Sequence, residues 1–205
     1  MPNRRRARRP PADPKQRLIA AALELAASKG WRQTSLAEIA AAAEIPLDET
    51  YALFRSKAAL LREFRRGIDA AVLGQRAPAA SDPPRDRLFD VLMRRFEALK
   101  PHRAGLRAIL RDMVGDPAML HGLQGLVRSM SWMRAAARLP VTGCWGRLAA
   151  QLTAGLYLSV LPVFLRDEST DLGSTMAALD RRLRQAETVL GSFRPIIARA
   201  AKPQK

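Results

Sequence analysis

Between residues 34 and 54 the chain carries two short, apolar-periodic segments separated by a tight turn, and this pairing constrains the fold more than any other feature. Ser35 precedes Leu36, Ile39 and Ala40, and Glu38 follows it at three residues, the spacing at which serine and glutamate each satisfy a free N–H of a helix start. The link from Ala43 to Ile45 ends that helix. Pro46 then stands at a suitable first helical position, because it lacks the N–H that would go unbonded there, and L-D-E-T-Y-A-L-F follows. Upstream, Leu18, Ala22, Leu25 and Ala26 share one helical face from Lys15 onward, and Gly30 suits a left-handed stop. Three short helices with tight turns form a candidate helix-turn-helix.

The remainder also reads as helix. Ser56 is positioned to cap a fourth segment through Leu60, Leu61, Phe64, Ile68 and Val72, ending at Gly74. Gln75 to Pro84, with A-P-A-A-S-D-P-P, is the clearest loop. Leu88, Val91, Leu92 and Phe96 mark a fifth helix closed by Pro101, and Leu106, Ile109, Leu110 and Met113 a sixth. A seventh spans Pro117 to about Ala137 and an eighth runs from Cys144 to Leu165. In the last, Met176, Leu179, Leu183, Ala186, Leu190, Phe193 and Ile197 alternate by three and four, a heptad seam suited to a short bundle interface, with Pro195 kinking its end. Ala and Leu dominate an apolar content of 48%, with no runs of Val, Ile or Thr, which supports an all-α chain of about nine helices. The apolar stretch Leu152 to Leu165 falls short of the ~20 residues that cross a bilayer, so it is read as a buried helix and not a membrane span.

A formal charge of +16, from 35 basic and 19 acidic side chains, points to a polyanionic partner. Residues 1–60 hold only +5 of it, so charge alone does not locate a binding face. The first fourteen residues carry arginines at 4, 5, 6, 8 and 9 among prolines; such an arm either follows phosphates and enters a minor groove or serves as a solubilising tail. Cys144 has no partner for a disulfide and is read as a small buried hydrophobe, and the basic, proline-rich start lacks a signal peptide's apolar core, so a cytoplasmic location is expected. His102 and His121 are isolated and read as surface residues, which makes a metal site improbable. There is neither a G-x-S-x-G elbow nor a phosphate-cradling glycine loop, so neither catalysis nor a cofactor is expected.

The stretch T-S-L-A-E-I-A-A-A-A-E-I-P-L-D-E-T-Y-A-L-F-R-S-K-A-A-L-L, residues 34–61, resembles the DNA-binding headpiece of the TetR family, as does Gly30 followed by the aromatic Trp31. The resemblance implies a homodimer whose recognition helices enter successive major grooves of a palindromic operator in double-stranded DNA. It also implies release when a small hydrophobic ligand enters the C-terminal bundle. The expected organisation is a basic arm at 1–14, a helix-turn-helix domain at 15–60, and a ligand-binding and dimerisation domain at 61–205. Residue by residue, Thr34 and Ser35 would meet a phosphate at a helix start, and Tyr51 and Lys57 would approach the backbone. With Arg4, Arg5 and Arg6 of the arm, and Leu47, Asp48, Glu49 and Thr50 at the front of the recognition helix, these complete the expected DNA contacts. The family's turn glycine is replaced by Glu44 here, and its small or polar recognition front by Pro46, Leu47, Asp48 and Glu49. The carboxylates serve either to accept from a cytosine amine or to stabilise the helix start. Phe96, Met113, Met130, Trp132, Met133, Trp145, Leu152 and Tyr157 are the ligand-pocket candidates, and Leu179, Leu183, Ala186, Leu190 and Phe193 the dimer-interface candidates.

A narrower resemblance covers V-F-L-R-D-E-S-T-D-L-G-S-T-M-A-A-L-D-R-R-L-R-Q-A-E, which looks like the closing segment of a lipid-binding accessory protein of ubiquinone biosynthesis that shares the TetR fold. That resemblance implies a rival function without specific DNA binding. The arginines Arg181, Arg182 and Arg184, opposite the heptad seam, read as a solvated face, with an anionic-lipid contact as the alternative.

Overall fold

A cap opens the first helix. The Asp13 carboxylate accepts from the Lys15 N–H at 3.1 Å and Pro14 occupies the first turn, so α1 runs Pro14–Lys29, starting one residue before Lys15. This computed structural model describes residues 13–116 and 118–200, and among them the backbone forms nine α-helices, one 3-10 turn and no strand. After α1 come α2 (Leu36–Ala42), α3 (Leu47–Leu53), α4 (Lys57–Leu73) and α5 (Pro84–Leu99). The 3-10 turn Lys100–His102 leads into α6 (Arg103–Asp112), α7 (Ala118–Ala136), α8 (Gly143–Arg166) and α9 (Gly173–Ala200). Arg4, Arg5 and Arg6 lie outside the described residues, as do the side chains of Leu190, Phe193 and Pro195.

The chain divides into two units, the first made of α1 to α3, α4 as far as Arg65, and α6. Leu18, Ala22 and Ala26 of α1 and Ile39 of α2 are its buried centre. α1 packs extensively against α6, and Gly105 is what lets the two backbones approach: a Cβ there would lie 2.5 Å from the Leu23 carbonyl oxygen. The end of α6 then grips the loop after α1. Asp112 accepts from the Trp31 N–H at 2.7 Å and the Arg32 N–H at 3.2 Å, while Arg32 Nε donates to the Asp112 carbonyl at 2.8 Å. The bond from the Arg32 amide, then those from the Arg111 side chain and the Trp31 amide, hold the Asp112 carboxyl below its usual range. His102 is half-buried, edge-on to Phe64 with ring centroids 5.2 Å apart, and burial lowers its pKa. The surface reading of His102 is therefore corrected, whereas His121 is exposed.

The second unit holds the rest of α4 with α5, α7, α8 and α9. Its core centres on Phe96, which stacks on Tyr157 at 4.6 Å and meets Phe164 at 5.0 Å. Met130 and Met133 are fully buried as well. Leu179 and Leu183 of α9 are buried within this unit, where α9 packs on α8 and α5. These two leucines of the heptad seam are thus not available to a second copy, whereas Met176 is exposed and Ala186 half-buried. Asp167 anchors the start of α9: burial favours its neutral form, but bonds from Ser169 and Thr175 outweigh that and hold its pKa at about 2.

α8 is longer than the sequence pattern indicates, at 24 residues, and by length and composition alone it is apolar enough to cross a membrane. Gly146, Ala150, Thr153, Ala154, Tyr157, Val160, Leu161 and Phe164 form its buried face, which makes one side of it a core helix. Trp145, Leu148 and Leu152 lie on its exposed side, and Cys144 is exposed, contrary to its reading as a buried hydrophobe.

Candidate nucleic-acid interface

The helix-turn-helix is built by local bonds. Ser35 Oγ accepts from the Glu38 N–H at 3.2 Å and Glu38 Oε2 accepts from the Ser35 N–H at 2.8 Å, closing the capping box of α2. A bond from Lys29, with those from Ser35, holds the Glu38 carboxyl down at about 2. The turn passes through Glu44 at φ 53°, the left-handed region where a glycine would sit without steric cost. Arg17 steadies it by donating to the Glu44 carbonyl at 3.2 Å, with its guanidinium 3.8 Å from the Glu44 carboxylate. Pro46 is the residue before the helix, so α3 begins at Leu47, one position later than the proline suggested.

α3 presents a mixed apolar and acidic face. Tyr51 is 62% and Leu47 56% exposed, and Asp48, Glu49 and Ala52 are exposed beside them. Leu36, Leu47, Asp48, Thr50, Tyr51 and Phe54 line a shallow groove of about 510 Å³ along this face. The two carboxylates in the first turn complement the positive end of the helix, which offsets part of their repulsion from a phosphate backbone. Arg55 is exposed just beyond the end of α3, after the extended Phe54, and is a cation absent from the expected DNA contacts.

Three expected contacts are differently placed. Thr34 is 2% exposed, its hydroxyl donating to the Gly30 carbonyl at 2.8 Å, so it holds the loop from within and does not offer a hydroxyl to phosphate. Thr50, 1% exposed, faces inward one turn before the buried Phe54 and cannot meet a base edge. Lys57 turns inward too: Nζ donates to the Trp31 and Thr34 carbonyls, both at 2.7 Å, and lies 4.7 Å from the Trp31 ring centroid. Burial lowers its pKa, and the ammonium ties the start of α4 to the loop between α1 and α2. Ser35 is exposed, but its hydroxyl is already shared with Glu38.

The ligand candidates do not form one set. Phe96, Met130, Met133 and Tyr157 are buried in the core of the second unit, whereas Trp132, Trp145 and Leu152 are more than half exposed and enclose nothing. Met113 belongs to the other unit. Residues of a core and residues of an outer helix face share the same apolar spacing, so periodicity merges them.

Residues 18–64 match the family model of bacterial regulatory proteins, tetR family. Among solved structures, the chain is similar to a TetR transcriptional regulator from Nitrosomonas europaea, at 25% identity over 85% of this chain and 99% of that one, with a TM-score of 0.69. It is also similar to a TetR transcriptional regulator from Rhodococcus sp. RHA1, at 20% identity over 84% and 94%, TM-score 0.59. A third is the FadR repressor of Thermus thermophilus, solved in complex with lauroyl-CoA, at 18% identity over 83% and 91%, TM-score 0.52. No curated protein matches the chain. The capped α2, the turn at Glu44 and the exposed α3 are thus a TetR-family DNA-binding domain, carried on a chain with the fold of TetR-family transcriptional regulators.

Proposed function

We propose that the chain is a dimeric repressor that holds a palindromic operator through α2 and α3 and leaves it when a small apolar or amphipathic molecule enters the second unit. The observation that carries this reading is the exposed face of α3, Leu47, Asp48, Glu49 and Tyr51, set on a helix-turn-helix in which Thr34 and Lys57 are bonded internally. In a major groove, Asp48 and Glu49 accept from cytosine N4 amines and Leu47 meets a thymine methyl, while Tyr51 and Arg55 reach phosphates. The small-molecule half is supported by likeness to the FadR structure that holds lauroyl-CoA. The second copy meets the exposed stripe of α8, where Trp145, Leu148 and Leu152 recur at three and four residues with Gly155 and Ser159 beyond them.

The test is a footprint of the purified chain on the DNA upstream of its own gene, with affinity measured across salt. A protected short palindrome, and an Asp48→Ala variant that loses discrimination at a cytosine position, bear the reading out. Weak binding indifferent to sequence overturns it, and the same result together with copurifying isoprenoid favours the lipid-accessory function instead.

A further inference from the structure

The outer face of α3 pairs an apolar groove with an acid at its edge. Leu36, Leu47, Tyr51 and Phe54 wall the groove of about 510 Å³, and Asp48 lines it beside Leu47. Leu47 and Tyr51 are each more than half exposed, so two of the apolar walls stand open to water. Neither Asp48 nor Glu49 has a hydrogen bond or ion pair among the described residues, and α3 opens on Pro46 without a side-chain cap bond. A free carboxylate on a surface that meets DNA is repelled by phosphate, and a hydrogen-bond donor on a base edge is what offsets that repulsion.

The bases differ in what stands beside that donor. In a major groove, adenine N6 is flanked by N7, an acceptor that repels a carboxylate, whereas cytosine N4 is flanked by C5, which carries no lone pair. Thymine has a methyl at C5, but its O4 is an acceptor where cytosine has the amine. A carboxylate set beside an open apolar groove therefore fits a pyrimidine that joins the cytosine amine to the thymine methyl. We propose that α3 reads 5-methylcytosine, with Asp48 accepting from N4 and the methyl entering the groove against Leu47 and Tyr51. Leu47 then meets the methyl of the base whose amine Asp48 holds, in place of a neighbouring thymine's. Burying one methyl against walls otherwise open to water should tighten binding about fourfold for each half-site, and so about tenfold or more over a palindrome. The assignment rests on the reading that α3 enters a major groove, and it makes occupancy of the operator depend on cytosine methylation.

The experiment selects duplexes with the full-length protein from two libraries that share one randomised core of about 20 bp. One library is synthesised with cytosine and the other with 5-methylcytosine throughout. The most enriched site is then made with cytosine, 5-methylcytosine or thymine at one symmetric pair of positions at a time, and affinities are measured by fluorescence anisotropy across salt. At one such pair, 5-methylcytosine should bind about tenfold tighter than cytosine, and thymine weaker than either. The salt slope should be the same for all three, because a methyl carries no charge. Leu47→Ala should remove most of the methyl gain and keep the preference for cytosine over thymine. Asp48→Asn, whose amide can donate to O4, should lose that preference. Both side chains are exposed, so the two variants should stay folded. Equal or weaker binding of the methylated form at every cytosine pair, a methyl gain that survives Leu47→Ala, or thymine bound as tightly as 5-methylcytosine would overturn the assignment. A preferred palindrome that is indifferent to methylation sinks the methyl assignment alone, whereas a lack of any preferred sequence in both libraries sinks the operator reading with it.

Discussion

Replacing Lys57 by methionine separates a structural role from a DNA contact, because the two make opposite demands. The ammonium donates to two carbonyls at 2.7 Å and sits over the Trp31 ring. Hydrogen bonds to a charged group contribute about 1.5–3 kcal/mol each, and the cation–π contact about 0.5–1 kcal/mol at a partly open site. Against this, the variant no longer has to desolvate an ammonium, the effect that lowers the Lys57 pKa, and methionine keeps most of the apolar stem. The net cost expected is about 2–4 kcal/mol, which lowers a urea midpoint by about 1 M or more at an unchanged m-value. Operator binding measured where both proteins are folded should keep its dependence on salt, since no phosphate contact is lost. Stability within about 1 kcal/mol of the parent, with a salt slope shallower by about one unit, would place Lys57 on a phosphate and refute the argument.

Gly105→Ala drives a Cβ into the Leu23 carbonyl of α1 and should cost about 3 kcal/mol or more, read as a fall in thermal midpoint; a neutral effect would mean that α1 and α6 separate freely. Asp112 has a folded pKa below its unfolded one, so the stability it lends is present above about pH 4 and is lost as pH falls through the lowered value. Asp112→Asn should therefore flatten the acid limb of the midpoint-against-pH curve, and a limb of unchanged slope would assign the acid sensitivity elsewhere. Leu152→Asp, on the exposed side of α8, should raise the dimer dissociation constant roughly a hundredfold by sedimentation with helix content retained, whereas an intact dimer would remove α8 from the interface.

The elements that could be read from sequence are those set by neighbours in the chain. Gly30, the Ser35 and Glu38 pair and Ser56 each act within four residues, and each stands where its spacing indicates. Side-chain direction on a seven-residue helix is less legible, because Thr50 and Tyr51 are adjacent and both suit a polar surface, yet one is buried and the other is not. Lys57 is illegible for another reason: its two carbonyl partners lie 26 and 23 residues away, so nothing local marks it as an internal donor. In α9, a three-four apolar seam describes a helix packed on its own chain as well as one packed on a partner, and Leu179 and Leu183 take the first course. α8 carries large apolar residues on its exposed side as well as its buried one, so the pattern cannot say which side is core.

The helix-turn-helix itself is short of stabilising contacts, and the reason α3 can be held in place lies outside the matched 47 residues. α2 and α3 have seven residues each, below the length at which a helix is stable alone, so their geometry depends on what α1 rests on. α1 rests on α6. The Trp31 and Arg32 amides are held by Asp112, some 80 positions further on, and the Trp31 carbonyl in turn holds Lys57 at the start of α4. The loop after α1 therefore receives bonds from both α4 and α6, and Glu44 can occupy its left-handed turn because the helices on either side of it are fixed. A fragment ending near residue 65 keeps the exposed face of α3 and loses Gly105 and Asp112. On this argument the rigidity of the recognition helix belongs to the whole first unit, α6 included, and not to the helix-turn-helix that carries the chemistry.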